Sequence, residues 1–351
     1  MFYKCPQCKK TWQYPIRKCP DCFLELKKIK SQKTKVIGVS KVNIPTIWHP
    51  KVPYFVLLLE DEKGNRQTHK SIKEYKIGDN FSLESIKEKG AVAIWRTKHD
   101  ILEAIEKTIS LLGELSINSN SKILILPTMI SPKHPHFAEN TSPQFLESMI
   151  EYLIEKGANH KNIKVASQSF NDFSIETIAQ KSQLLRICRE NKIIPLDLSK
   201  TNFIKKEKGV FSFEISKEVF NNDLVINLPI LKINSELKVR GAIENVFKFL
   251  KKDSFSSLKY LHEYKDLQIK IQEVLPDYLT VAEAISIQKS TKITTFLGLI
   301  LASYNIFNLE RVFAEITMVK NLPEYLKNIK IEDVPTLGRN IKELQYDVEK
   351  Y

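Results

Sequence analysis

The hydrophobic and polar positions follow two different patterns along the chain. Between residues 36 and 83, short strand-like segments at 36–42, 54–60 and 66–69 are separated by turn sequences at 62–65 and 76–79. Short strands joined by tight turns over about fifty residues are typical of a small all-β barrel. The pattern therefore predicts an OB-like barrel over residues 34–86.

From residue 91 onward, apolar runs alternate with amphipathic stretches. The runs expected to be buried strands are 123–126, 163–166, 193–196, 224–228, 278–282 and 297–302. The stretches expected to be helices are 101–112, 144–155, 175–190, 242–251 and 309–319. This alternation predicts an α/β domain over residues 91–333, with a mostly parallel sheet flanked by helices. We expect the charged residues 334–351 to form a peripheral C-terminal tail.

Composition excludes several classes of protein. The 351 residues, 42% of them hydrophobic, allow two or three domains of ~150 residues each. Ten glycines form neither a GxGxxG nor a GxxxxGK[ST] loop, which argues against a dinucleotide-binding dehydrogenase and a P-loop ATPase. The longest near-apolar stretch, 293–307, is shorter than the ~20 residues of a membrane span. With no signal-peptide pattern at the start, we expect a cytoplasmic protein.

Four of the five cysteines form two C-x2-C pairs, Cys5 with Cys8 and Cys19 with Cys22, separated by ten residues. Two such pairs supply the four soft ligands of a closed tetrahedral zinc site, in which the metal is structural. Iron in a rubredoxin-like site is the alternative, whereas two disulfides would need an oxidising compartment. We therefore predict a rubredoxin-like zinc ribbon over residues 1–33, and a core thiol at Cys188.

Positive charge is concentrated in the same region. The net charge is +13, and residues 1–35 hold ten basic against two acidic residues, a net +8. Such a cluster favours a polyanionic ligand or an acidic partner, and the candidate contacts are Lys9, Lys10, Arg17 and Lys18. A lysine-rich composition of the whole chain is the alternative explanation.

The N-terminal region also resembles a known family. The segments "YPIRKCPDC", "VPYFVLLLEDEKGN" and "YKIGDNFSL" occur in that order within residues 1–85. This region resembles the zinc-ribbon and OB-fold proteins catalogued as domain of unknown function 35. The resemblance implies that the module accompanies thiolase-like or synthase enzymes and handles acyl-CoA, with the basic residues of the ribbon facing the CoA phosphates.

Residues 91–333 resemble a second family, catalogued as domain of unknown function 362. The segments "SKILILPTM", "NNDLVINLPILK", "AIENVFKFL" and "PDYLTVAEAISI" occur in the expected order. The matching positions are Pro127, Pro143, Gly157, Asp223, Asn227, Pro229, Lys232 and Asn245. Other family positions differ, because Thr128, Asn234, Glu244 and Glu283 replace the usual asparagine, histidine, lysine and aspartate. A domain without catalytic activity is therefore at least as well supported as an enzyme.

A candidate substrate pocket lies at the ends of two predicted strands. His134 and His136 flank Pro135 just beyond the first strand, and Lys232 and Asn245 follow a second strand. Ligands of open α/β sheets bind at this edge. The alternative for the histidines is a solvated loop.

Three hypotheses for function follow. The leading one is a zinc-binding accessory protein whose ribbon and barrel bind acyl-CoA or dock onto an acyl-CoA enzyme, with the α/β domain as a second ligand-binding surface. The second is an enzyme that acts on a small anionic substrate in the α/β domain. The third is a nucleic-acid-binding module in which Trp12, Tyr14, Trp48 and Tyr54 stack on bases.

Overall fold

The computed structural model describes residues 2–12, 18–29, 33–44, 52–71, 74–82, 90–97, 100–113, 115–289, 291 and 293–348. The chain divides into two compact units, Met1–Ile86 and Lys87–Tyr351. The finer division of the first unit into ribbon and barrel stays a prediction.

The N-terminal unit contains two antiparallel sheets. Its strands are β1 (Phe2–Lys4), β2 (Thr11–Trp12), β3 (Lys27–Ile29), β4 (Lys33–Val42), β5 (Tyr54–Asp61), β6 (Arg66–Ser71) and β7 (Asn80–Ser82). The first sheet has the order β2-β1-β3 and the second β6-β5-β4-β7. The predicted strands and turns of the second sheet are therefore present, whereas its closure into an OB-like barrel stays a prediction.

Local chemistry explains the hairpin between β5 and β6. The carboxylate of Asp61 accepts hydrogen bonds from the backbone N–H groups of Lys63 (2.9 Å) and Asn65 (2.8 Å), and Gly64 takes a positive φ of 76°. Along β5, side chains alternate between buried and half-buried, because the pleat sends neighbours to opposite faces. The inward residues form a small apolar cluster, Val36, Phe55, Leu57, Leu59 and Phe81.

The second unit is built on an eight-stranded sheet of order β11-β10-β9-β14-β17-β18-β8-β19. The strands of this unit are β8 (Val92–Arg96), β9 (Ile123–Pro127), β10 (Ile163–Ser167), β11 (Leu196–Asp197), β12 (Phe203–Lys208), β13 (Phe211–Ser216), β14 (Leu224–Leu228), β15 (Lys232–Asn234), β16 (Lys238–Arg240), β17 (Leu279–Gln288), β18 (Thr294–Ser303) and β19 (Thr336–Gly338). Strands β11 to β17 in the sheet order run parallel, and β18 is antiparallel to both of its neighbours. The mixed α/β fold with a mostly parallel sheet is thus confirmed.

Helices cover both faces of this sheet. They are α1 (Ile101–Leu112), α2 (Pro143–Glu155), α3 (Ile175–Lys181), α4 (Leu184–Glu190), α5 (Ala242–Val246), α6 (Lys252–Leu261), α7 (Tyr264–Gln272), α8 (Ile306–Ile316), α9 (Glu324–Lys327) and α10 (Ile341–Leu344). Alternate residues of β9 enter two separate apolar clusters, Leu124 and Leu126 in one, Ile123 and Ile125 in the other. Burial on both faces explains why the strands appear in the sequence as continuous apolar runs.

The end of the chain differs from the prediction. Residues 334–348 are not a peripheral tail, because β19 pairs in parallel with β8 and the side chains of Val334, Leu344 and Val348 are buried in the apolar core. The charged composition of this segment gave no indication that these three apolar side chains would be buried. In the part of the chain that the structure describes, no helix has both the length and the apolar character needed to cross a membrane.

Candidate functional site

The four N-terminal cysteines lie together. Their sulfur atoms are all within 4.8 Å of one another, the Cys8 and Cys19 Sγ atoms are 3.7 Å apart, and none of the four forms a disulfide. Four thiolates around zinc at Zn–S distances of about 2.3 Å have S···S edges of about 3.8 Å. The donor set and its spacing therefore fit one tetrahedral metal ion, with zinc or iron as the candidates.

The two cysteine pairs sit in loops of the same shape. The backbone N–H of Cys5 donates to the carbonyl of Lys10 (2.9 Å), and that of Cys19 donates to Leu24 (2.8 Å), in each case five residues on. Lys9 and Phe23, each four residues after the first cysteine, both have positive φ, 60° and 57°. Two equivalent loops thus present their thiols to a common centre, as the C-x2-C spacing predicts.

The basic residues near the four cysteines have different surroundings. Lys10 forms an ion pair with Asp21 (2.6 Å), and the Lys9 ammonium donates to the carbonyl of Pro6 (2.6 Å). Lys18 is exposed, and Arg17 lies outside the described residues. The charge of Lys10 is therefore partly neutralised, whereas Lys9 and Lys18 present positive charge to solvent.

The second candidate site is a cavity of about 280 Å³ at the carboxyl ends of β9 and β14. These strands are parallel neighbours, with Pro127 paired to Leu228, so the segments that follow them leave the sheet side by side. The cavity is lined by Thr128, Ile130, Phe170, Asn171, Ile230, Lys232, Arg240, Gly241, Glu244, Asn245, Phe247, Lys248, Phe255, Lys259 and Tyr264. It lies at the edge where open α/β sheets bind ligands.

Asn245 links several segments around this cavity through hydrogen bonds. Its amide nitrogen donates to the carbonyl of Leu126 (2.8 Å) and to the side-chain oxygen of Asn227 (2.8 Å). Its own oxygen accepts a hydrogen bond from the hydroxyl of Thr128 (3.2 Å). Because these groups are buried, the amide fastens α5 to the ends of two strands. Thr128, which replaces the family asparagine, takes part in the same network.

Lys232 lies against the predicted histidine loop. Only 7% of its surface is exposed, and its ammonium donates to the carbonyl of Glu139 (2.5 Å). Burial lowers the pKa of Lys232 to about 7, although the nearby carboxylate of Glu139 acts in the opposite direction. That carboxylate is itself paired with Lys133 (2.6 Å). Lys232 can therefore exchange a proton near neutral pH.

The two histidines do not line the cavity. Both are exposed; the His134 ring accepts from the backbone N–H of His136 (3.3 Å) and contacts the Gln183 amide (3.1 Å). Neither histidine is among the residues that line the cavity with Lys232 and Asn245. The structure thus brings Lys232 and Asn245 together and leaves His134 and His136 outside the cavity that these two residues share.

Besides the exposed Lys259 at the rim, sequence reasoning missed three charged residues and one tyrosine in the cavity. Arg240 forms an ion pair with Glu244, and the Tyr264 hydroxyl donates to the same carboxylate (3.2 Å). Lys248 is the fourth. These residues come from β16, from α5, from the turn that follows α5 and from α7, so no local sequence motif contains them. The departure from the family pattern at Glu244 was the only sequence feature that could have pointed to this group.

Lys248 is the most unusual residue of the cavity. It is 8% exposed, and its ammonium lies 4.4 Å from the centre of the Phe170 ring. Within the described residues, this ammonium forms no hydrogen bond or ion pair, and burial lowers its pKa to about 8. A cation in this environment faces the cavity without an anionic partner of its own.

Gly241 determines the backbone path of another part of the cavity wall. Its φ is 140°, and a Cβ atom at this position would lie 2.3 Å from the carbonyl oxygen of Ile230. Only glycine permits this approach. The contact holds the end of the β15–β16 hairpin, including Arg240, against the segment after β14.

Glu283, at a position where the family has aspartate, has a different role. Its side chain is buried and accepts from the backbone N–H of Ser142 (2.8 Å) at the start of α2, and burial raises its pKa to about 7. Since Glu283 does not line the cavity, it supports a helix terminus.

Comparisons with known proteins place the second unit in a family. A local likeness links 23% of this chain to 68% of the chain of a solved structure titled "Ltp2-ChsH2(DUF35) aldolase", at 24% identity and a TM-score of 0.20. The lactate racemase apoprotein from Thermoanaerobacterium thermosaccharolyticum aligns over 70% of this chain and 61% of its own, at 11% identity and a TM-score of 0.34. A search of curated proteins finds no match. Residues 123–315, more than half of the chain, match the family described as "Domain of unknown function (DUF362)", and the chain therefore belongs to that family.

Proposed function

We propose that the α/β unit binds a small anionic ligand in the cavity at the ends of β9 and β14, and that the four N-terminal cysteines hold a structural zinc ion. The observation that carries the first part is Lys248, a buried ammonium without an ionic partner among the described residues. Burying a charge without a partner costs several kcal/mol. A ligand anion at this position offsets that cost.

The other charges of the cavity support the same proposal. Lys232 is buried and donates only to a backbone carbonyl, and the positive charge of Arg240 is balanced by Glu244. The cavity therefore presents positive charge that the described side chains do not neutralise. A carboxylate or phosphate group is the chemistry that such a pocket recognises.

Lys232 supports the enzyme hypothesis as a second candidate. A pKa of about 7 allows this amine to take up or release a proton at neutral pH, as a general base or acid must. Its place in the lining gives it access to a bound molecule. The second candidate is an enzyme in which a small anion bound near Lys248 reacts by proton transfer with Lys232.

For the N-terminal unit we retain the accessory role. The zinc ribbon and OB-like barrel would bind acyl-CoA or dock onto an acyl-CoA enzyme, and the four thiolates would close the metal site so that it serves structure alone. Support comes from the sequence segments that resemble domain of unknown function 35 and from the exposed Lys9 and Lys18. Comparing the binding of CoA and single-stranded RNA at low and high salt separates this role from nucleic-acid binding.

The anion-binding proposal is tested with inorganic phosphate. At constant ionic strength, phosphate should raise the melting temperature of the wild-type protein in a saturable manner, because it binds only the folded state. Lys248→Met should lose this shift, whereas Lys181→Met, a change on the exposed face of α3, should keep it. An equal shift in both variants, or none in the wild type, contradicts the proposal.

A further inference from the structure

The charges around the cavity do not balance. Lys232, Arg240 and Lys248 face a single carboxylate in the lining, that of Glu244. The ion pair of Arg240 with Glu244 leaves the two lysines, and neither forms an ion pair with a described carboxylate. Lys259 adds a third ammonium at the exposed rim. When both buried lysines are protonated, the interior of the cavity holds two uncompensated positive charges.

Another part of the cavity lining is aromatic. Phe170 and Phe255 stack with ring centres 4.8 Å apart and an interplanar angle of 21°. Phe247 continues this wall, 4.9 Å from Phe255 and 5.7 Å from Tyr264. Phe170 and Phe255 are only half-buried, and both line the cavity. Flat apolar groups pack well against such rings.

Lys248 interacts with both the charged and the aromatic parts of the lining. Its ammonium lies over the Phe170 ring, which belongs to the aromatic wall, while its charge interacts with those of Glu244 and Arg240, which also line the cavity. A ligand whose anionic group meets this lysine would therefore have its body beside the aromatic wall.

We infer that the ligand is a small planar aromatic molecule with a doubly charged anionic group, of the class of aryl phosphate monoesters. Two buried ammonium groups match the two negative charges, and the Phe170–Phe255 wall matches the ring. The cavity of about 280 Å³ suits a ligand of this size, since ligand pockets of ~300 Å³ are at the small end of the usual range. This inference rests on the proposed function, and it adds the charge and the shape of the ligand.

Three probes separate the parts of the inference at constant ionic strength, with affinities from isothermal titration calorimetry. Phenyl phosphate supplies ring and double charge, benzoate supplies ring and single charge, and inorganic phosphate supplies charge without ring. We expect phenyl phosphate to bind about tenfold or more tightly than either of the others, a difference of about 1.4 kcal/mol.

Variants assign this preference to residues. Phe255→Leu should weaken phenyl phosphate several-fold and leave inorganic phosphate unchanged, whereas Phe170→Leu should weaken both, because it also removes the ring over which the Lys248 ammonium lies. Lys248→Met should remove most of the advantage of phenyl phosphate over benzoate. Equal binding of benzoate and phenyl phosphate, or of inorganic and phenyl phosphate, would overturn the inference while the anion-binding proposal stands. If none of the three probes binds, both fail.

Discussion

The two units of this chain obtain their order from different sources. In the N-terminal unit, the described apolar cluster is small, and the ribbon loops converge on four thiols rather than on a hydrophobic core. In the α/β unit, large apolar clusters cover both faces of an eight-stranded sheet. A metal site can replace a core where too few residues are available to build one. We therefore propose that the region around the four cysteines depends on a bound metal ion, whereas the α/β unit depends on the burial of apolar side chains.

The functional residues of the two units differ in the same way. The cysteines are close in sequence, and a spacing of two residues within each pair already places both thiols on one loop. The hydrogen bonds of the cavity residues join positions that are far apart, such as Thr128 with Asn245 at a separation of 117 positions and Lys232 with the carbonyl of Glu139 at 93. Its charges become neighbours only when the sheet forms.

Metal removal gives the largest expected effect. Cys19→Ser/Cys22→Ser should abolish metal binding and unfold the ribbon, because the binding free energy of ~10–16 kcal/mol in such sites is folding free energy. Elemental analysis should find about one metal ion per wild-type chain and none in the variant. If the two units differ as argued, the helical signal of the α/β unit should melt at nearly the same temperature in both proteins.

Cys188→Ser provides the control for that experiment. Cys188 is buried in α4, and burial raises the pKa of its thiol to about 12, so it remains protonated and does not bind metal. This variant should keep its metal and lower the stability of the α/β unit instead. A double variant that retains metal, or a wild-type protein without zinc or iron, would show that the ribbon has another source of order.

The sequence predicts the features that depend on local patterns better than those that depend on contacts between distant positions. The alternation of apolar runs and amphipathic stretches was sufficient for the α/β fold, and the cysteine spacing for the metal site, because both are local signals. Lys232 and Asn245 were found through their place after a strand, whereas Lys248 has the sequence context of an ordinary lysine in a helical stretch. The Phe170 ring beneath its ammonium belongs to a different segment of the chain. His134 and His136 lie in the loop after β9, but nothing in the sequence indicates that this loop leaves them outside the cavity.

A backbone change in the α/β unit should have the next largest effect. In Gly241→Ala, the added Cβ would meet the carbonyl of Ile230 at 2.3 Å in a conformation with φ of 140°. We expect a loss of about 3 kcal/mol or more in the free energy of unfolding, together with loss of phosphate binding, because the wall carrying Arg240 must move. Urea denaturation and the phosphate thermal shift measure the two effects.

Gly209→Ala is the matched control for this substitution. Gly209, in the turn between β12 and β13, also has a positive φ, 60°, but no atom lies within 4 Å of the point that an added Cβ would occupy. It should cost about 1 kcal/mol from backbone strain alone and leave phosphate binding intact. Equal losses in the two glycine variants would mean that the close contact at Ile230 does not hold the cavity wall.

The smallest expected effect is a pH dependence confined to the α/β unit. The pKa of Lys232 falls from 10.5 to about 7 on folding, so between these values the unfolded chain binds a proton that the folded chain lacks. The contribution of Lys232 therefore makes the folded state more stable as pH rises from about 7 to about 10, by at most about 1.4 kcal/mol per pH unit. Below pH 7 the full cost of the buried charge is present.

Glu283 and Glu310 have the opposite effect at lower pH, since burial raises their pKa values to about 7 and about 8 and stability then falls as pH rises toward these values. Comparison with Lys232→Met cancels these contributions, because both proteins contain the two glutamates. The variant should be more stable than wild type at pH 7, and this advantage should shrink by about 2 kcal/mol at pH 9. Urea denaturation at both pH values measures it, with Lys181→Met as the control whose difference from wild type should stay constant.

Saturating phosphate should reduce or reverse the advantage at pH 7, because a bound anion stabilises the protonated lysine. An advantage of Lys232→Met that is the same at pH 7 and pH 9 would show that the buried ammonium does not titrate in this range, and that Lys232 is a fixed positive charge of the cavity.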